Sequence, residues 1–124
     1  IQINAAVTVN FGVEVFDTGR NFTANKFTAP VGGKYMFHYD IYTSNWDASC
    51  GYVETVLKTS NRLYYLEIAD GDLFPGDPAY YTWCGGLLVD MDAADTAHMT
   101  VFQSGGNNQL DLRPSSWFSG CLIA

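Results

Sequence analysis

The stretch FGVEVFDTGRNFTANKFTAPVGGKYMFHY, residues 11–39, decides the fold. It closes on Tyr35, Phe37 and Tyr39, which alternate with Met36 and His38. Side chains two apart on a strand share a face, so all three rings point to one side. Thr28 to Gly33 (TAPVGG) has the Pro and Gly content of a loop that delivers the chain into that strand. Upstream, Val7, Val9, Phe11, Val13 and Val15 alternate with Thr8, Asn10, Gly12 and Glu14, the period of a half-buried strand.

Outward from this stretch the same chemistry continues. Residues 34–43 form the strand just described, extended by Ile41. Tyr52 to Lys58 and Arg62 to Ile68 read as a pair joined by the turn Thr59-Ser60-Asn61. Ala69 to Pro78 (ADGDLFPGDP) is too rich in Gly, Pro and Asp for regular structure and reads as a loop. Further strands are expected at Tyr80 to Trp83, Gly86 to Met91, His98 to Gln103 and Trp117 to Ile123. No window holds a helical period. The expectation is an all-β, ten-stranded jelly-roll sandwich (about eight to ten short strands). It fills one domain, residues 1–124, with no linker, internal repeat or Gly-X-Y tract.

Composition fits that reading and excludes others. At 124 residues, 48% hydrophobic and 15% charged, the chain is long enough and apolar enough to bury one core. A net charge of −7 argues against nucleic acid as partner. The six basic residues, Arg20, Lys26, Lys34, Lys58, Arg62 and Arg113, lie scattered along the sequence. No apolar run of about 18 residues is present, so no membrane insertion is expected. The start at Ile1 without Met suggests a processed protein or an excised domain, and Asn21-Phe22-Thr23 is a glycosylation sequon. Both fit secretion. Cys50, Cys84 and Cys121 show no CxxC spacing, and one disulfide or three free thiols are both open. Cys121, in an apolar strand, reads as a small buried hydrophobe.

The spacing of Phe11, Asp17, Phe22, Phe27, Gly33, Tyr35, Phe37 and Tyr39 resembles the signature of the C1q globular domain, of the C1q/tumour-necrosis-factor superfamily. One departure is that Phe22 and Phe27 stand two residues closer than the family pattern. Ser116-Trp117-Phe118-Ser119-Gly120 followed by Cys121, Leu122 and Ile123 resembles the family's closing strand. Leu87-Leu88-Val89 and the Ala94-Asp95 turn resemble its middle. The resemblance implies a C1q/TNF-like jelly roll, a closed homotrimer, an extracellular setting and, in several members, Ca²⁺ near the trimer apex. Apolar residues on both faces of the last strand (Trp117, Cys121 and Ile123 opposite Phe118 and Leu122) fit burial against a neighbouring subunit.

No catalytic motif appears, so an enzyme is not expected. His38 and His98 belong to no HExxH pattern, and there is no GxSxG elbow or P-loop. Asp90, Asp92 and Asp95 crowd one turn and are the candidate Ca²⁺ ligands, since Ca²⁺ takes six to eight oxygens. An exposed acidic turn is the alternative. Asp70, Asp72 and Asp77 form a second such group. Trp46, Asp47, Asp72, Asp77, Tyr80, Tyr81 and Trp83 combine rings with carboxylates, a mixture that stacks on sugar rings and binds hydroxyls, or serves as a protein contact. The same rings would equally fill the core or a subunit interface.

Two functions follow from these expectations. One is a secreted, lectin-like pattern-recognition module that binds carbohydrate or a microbial surface ligand. The other is an extracellular structural or receptor-binding trimer without sugar binding. A charge of −7 on each of three subunits opposes capture of anionic surfaces unless Ca²⁺ or a local basic patch intervenes.

Overall fold

Why the two sheets close around Tyr35, Phe37 and Tyr39 is visible in a computed structural model, which describes residues 1–12 and 19–124. The strands are β1 (Ala6–Thr8), β2 (Phe22–Thr23), β3 (Lys26–Thr28), β4 (Gly33–Ser44), β5 (Tyr52–Thr59), β6 (Leu63–Asp70), β7 (Tyr80–Met91), β8 (Thr96–Ser104), β9 (Asp111–Leu112) and β10 (Trp117–Leu122). One sheet runs β2-β3-β8-β5-β6, with β1 on the flank of β8 that also carries β3. The other runs β10-β4-β7, with β9 continuing the β10 flank of β4. All pairings between these strands are antiparallel. The architecture is the expected all-β jelly roll.

The alternation read from sequence sets the core. Tyr35, Phe37, Tyr39 and Ile41 turn inward from β4 and meet Val53, Leu57, Ala97, Met99 and Val101 of the facing sheet. Phe37 stacks flat on Phe118, centroids 5.3 Å apart, and takes the edge of Phe27 at 5.3 Å. Phe11 stacks on the same Phe118 ring at 5.6 Å. Offset and edge-on pairs of this kind add to plain area burial. Phe27, Tyr35, Phe37 and Tyr39 are therefore core residues, with Phe11 and Phe22 at its margin. Asp17 and the expected strand residues Val13 and Val15 lie outside the described residues.

Several strand boundaries differ from expectation, and β1 ends at Thr8 although the alternation continues to Phe11. Tyr80 to Trp83 and Gly86 to Met91 are one strand, paired without interruption along β4 from Ser44 to Gly33. The gap expected at Cys84-Gly85 is absent, because Gly85 makes room for a ring instead. A Cβ there would lie 2.7 Å from the Tyr39 hydroxyl. In the Ala69–Pro78 loop, Ala69 and Asp70 instead finish β6, and Gly71–Leu73 form a 3₁₀ turn capped by the Asp70 side chain.

The β10 register sets Trp117 and Cys121 beside Asp40 and Met36, on the face of β4 away from the core. Cys121 is exposed in the single chain, which corrects its reading as a buried hydrophobe. Cys84 is also exposed, Cys50 is buried, and all three are free thiols.

Candidate loop-end site

Strand direction decides which candidate residues meet. β4 ends at Ser44 beside the first residue of β7, Tyr80, and beside Asp111 of β9. Tyr52, at the start of β5, is flanked by Asp70 of β6 and Ser104 of β8. The loops 45–51, 71–79 and 105–110 therefore converge at one end of the sandwich. All seven residues expected to bind ligand lie in or next to these loops. Asp90, Asp92 and Asp95 lie at the opposite end.

Asp47 ties the loops together. Its Oδ1 accepts from the Ser49 hydroxyl at 2.5 Å and the Ser49 N–H at 2.9 Å. Its Oδ2 accepts the N–H of Asn107 at 2.5 Å and of Asn108 at 2.8 Å. The Ser49 hydroxyl, then the amides of Asn108, Asn107 and Ser49, hold this carboxyl far below the usual range. Gly106 sits at φ +93°, and a Cβ there would press within 2.9 Å of Asp47 Oδ2. From below, the buried side chain of Gln103 donates to the Asn108 carbonyl at 2.8 Å and accepts the Leu110 N–H at 2.9 Å. Asp47 is thus a structural anchor, buried and engaged through both oxygens.

A second set of bonds zips loop 45–51 to loop 71–79. Asp77 Oδ1 accepts the Ala48 N–H at 2.8 Å, and the Asn45 N–H reaches the Ala79 carbonyl at 3.0 Å. Beneath them lies an aromatic box. Trp46 packs edge-on against Phe74, Tyr81 and Trp83 at 5.2, 5.4 and 5.8 Å. The Trp46 indole N–H donates to Thr43 Oγ1 at 2.6 Å and that of Trp83 to Thr55 Oγ1 at 2.5 Å. Only 2% of Trp46 and 6% of Trp83 is exposed. Both indoles fill the box, and each finds a buried hydroxyl for its one donor.

Above the box is an open cleft of about 480 Å³, lined by Asn45, Asp77, Pro78 and Ala79 on one side and Asn108 and Gln109 on the other, with Trp46 at its floor. Tyr80 and Tyr81 continue the chain from Ala79, and Tyr80 is 60% exposed with its ring 5.9 Å from Tyr42. Asp72 is exposed on the 3₁₀ turn, where its N–H is held by Asp70. Asn45, Asn108 and Gln109 were not picked out from sequence. The run Ser-Gly-Gly-Asn-Asn marks a turn, and nothing local signals that Asp47 would fold its amides toward Trp46.

The acidic turn at the other end is closed by its own hydrogen bonds. Asp95 Oδ2 accepts the Asp92 N–H at 2.9 Å and the Asn61 side-chain amide at 2.7 Å, closing the turn around Ala94 at φ +73°. Asp90 projects from β7 beside Lys34. Among the described residues, no three acidic, His or Cys side chains gather as a metal site would require. The carboxylates of Asp90, Asp92 and Asp95 do not converge, and neither do those of Asp70, Asp72 and Asp77. The reason is that Asp95 and Asp70 serve as turn caps.

No protein-family model matches the chain, and no curated protein matches it. Among solved structures, the globular domain of zebrafish complement 1qA protein is similar over 99% of this chain and 87% of its own, with a TM-score of 0.66 at 22% identity. Crystal structures of murine APRIL at pH 8.0 and pH 8.5 are similar over 86% of this chain and 76% and 77% of theirs. Their TM-scores are 0.55 and 0.56, at 16% identity. At such identities the likeness shows the fold, a C1q/TNF-like jelly roll.

Proposed function

We propose that the chain is an extracellular ligand-recognition module, without enzymatic activity, that assembles as a homotrimer and takes a carbohydrate in the loop cleft. The observation that carries this reading is the cleft itself. Asn45, Asp77, Asn108 and Gln109 line one open volume with Trp46. Such a surface suits a neutral sugar, whose hydroxyls take amide and carboxylate bonds. Asp47 and Gln103 hold the lining loops in place beforehand, which lowers the ordering cost of binding.

Assembly is supported by the outer face of the β10-β4-β7 sheet. Leu88 is 50% exposed and Trp117 49% exposed there, with Met36 and Cys121 in the same rows. A closed three-fold ring, which the family resemblance implies, would bury this face.

A second reading, a receptor-binding or matrix trimer, draws on the apolar residues Leu63, Tyr65 and Ile68, exposed along the unpaired edge of β6. A glycan array probed with and without EDTA separates the two. The first reading expects neutral-glycan binding that survives EDTA and drops about tenfold in Asn108→Ala and Gln109→Ala. Absence of any glycan signal in both conditions favours the second.

A further inference from the structure

The sheet centred on β8 turns a second face to solvent, and that face gathers basic groups that are far apart in sequence. Phe27, Leu57, Ala97 and Met99 are buried, so Lys26, Lys58 and His98, each next in sequence to one of them, point outward. Lys58 of β5 stands directly across from His98 of β8. The pairing of Phe27 with Ala97 sets Lys26 of β3 on the other flank of His98. Strands lie about 4.8 Å apart, so both ammonium groups reach the space over one imidazole.

Among the described residues, no ion pair neutralises this row. His98 Nδ1 is buried without a hydrogen-bond partner, and Nε2 is the nitrogen left to donate. Around the ring on the same face are Thr96 and Thr100 from β8, Val56 from β5 and Thr28 from β3, none of them acidic. Burial, then Lys26 and Lys58, push the His98 pKa down.

Like charges opposite one another across strands destabilise a sheet. Lysine on an edge strand has a protective use, but β5 and β8 are interior strands. In a chain of net charge −7 with six basic residues, two unpaired lysines around one histidine are a costly arrangement that an anion would relieve.

We propose that Lys26, His98 and Lys58 form a binding site for a tetrahedral oxyanion, the sulfate or phosphate group of an ester or of the free ion. Three donors from three adjacent strands match an anion with three or more acceptor oxygens, and charge-assisted bonds of this type are short and strong. The site lies on the sheet face, away from the loop cleft, and is independent of the carbohydrate reading. Bound anion adds negative charge beside the ring, so it raises the His98 pKa and binds more tightly as pH falls.

The test follows the His98 ring resonances by NMR at low ionic strength while inorganic sulfate, inorganic phosphate or N-acetylglucosamine 6-sulfate is added. The expected result is a saturable shift of the His98 ring, with His38 on the other sheet unmoved. Lys26→Gln and Lys58→Gln should each weaken binding about fivefold, and together abolish it. Saturation by the sugar sulfate at lower concentration than by inorganic sulfate assigns a glycan-borne ester as the source. The reverse order assigns the free ion. No saturable shift by about 50 mM of any probe, or a folded double variant that titrates like the parent, would overturn the site.

Discussion

The carboxylate of Asp47 accepts the backbone N–H of Asn108 at 2.8 Å, across a sequence separation of 61 residues. This bond joins the loop after β4 to the loop after β8, and the cleft exists because both loops are held there.

Asp47→Asn should loosen that end of the molecule. The carboxyl titrates well below its ordinary value of 3.8 in the folded chain, so it contributes stability above pH 3.8. That contribution fades as pH drops below the ordinary value toward the folded one. Denaturant melts from pH 7 down to pH 2 should show a lower midpoint for Asp47→Asn near neutrality and a shallower acid limb. Superimposable curves would mean the carboxylate does not anchor the loops.

Phe37→Ala should cost about 3–5 kcal/mol, because the ring is fully buried and stacked on Phe118. Urea unfolding measures it. A loss below about 1 kcal/mol would place the ring outside the core.

Asp95→Ala should lower the thermal midpoint by the same amount in Ca²⁺ and in EDTA. The carboxylate caps a turn through Asp92 and Asn61, and a cap is worth about 1 kcal/mol. A loss confined to Ca²⁺-containing buffer would instead make this turn a metal site.

The three thiols should react unequally. Burial, then the charges of Asp47 and Asp70, push the Cys50 thiol up, so it stays protonated and unreactive until the chain unfolds. Cys84 and Cys121 are exposed in the single chain but lie on the outer face of the β10-β4-β7 sheet. Assembly should protect both, and Leu88→Glu should expose both to a thiol reagent. Rapid labelling of Cys84 and Cys121 in the native protein would count against an interface on that face.

How far the sequence reaches is clear from individual residues. Tyr35, Phe37 and Tyr39 declare their common face through a period of two, which is local and hence readable. Gly85 misleads, because its reason is the Tyr39 ring on the neighbouring strand, and local chemistry alone spells a turn. Trp46 and Trp83 look like ligand contacts because they adjoin polar loops, yet the depth at which each ring sits depends on long-range packing. The carboxylate cluster at residues 90–95 is legible as a cluster, but its hydrogen bonds to Asn61 are not. Lys26 and Lys58 look scattered until strand order places both beside His98.

The most direct measurement is the mass of the native protein in solution. Light scattering at micromolar concentration should give three times the 13.7 kDa of the chain, and Leu88→Glu should give a folded species of one chain mass. A native protein that scatters as a single 13.7 kDa chain would contradict the trimeric recognition module.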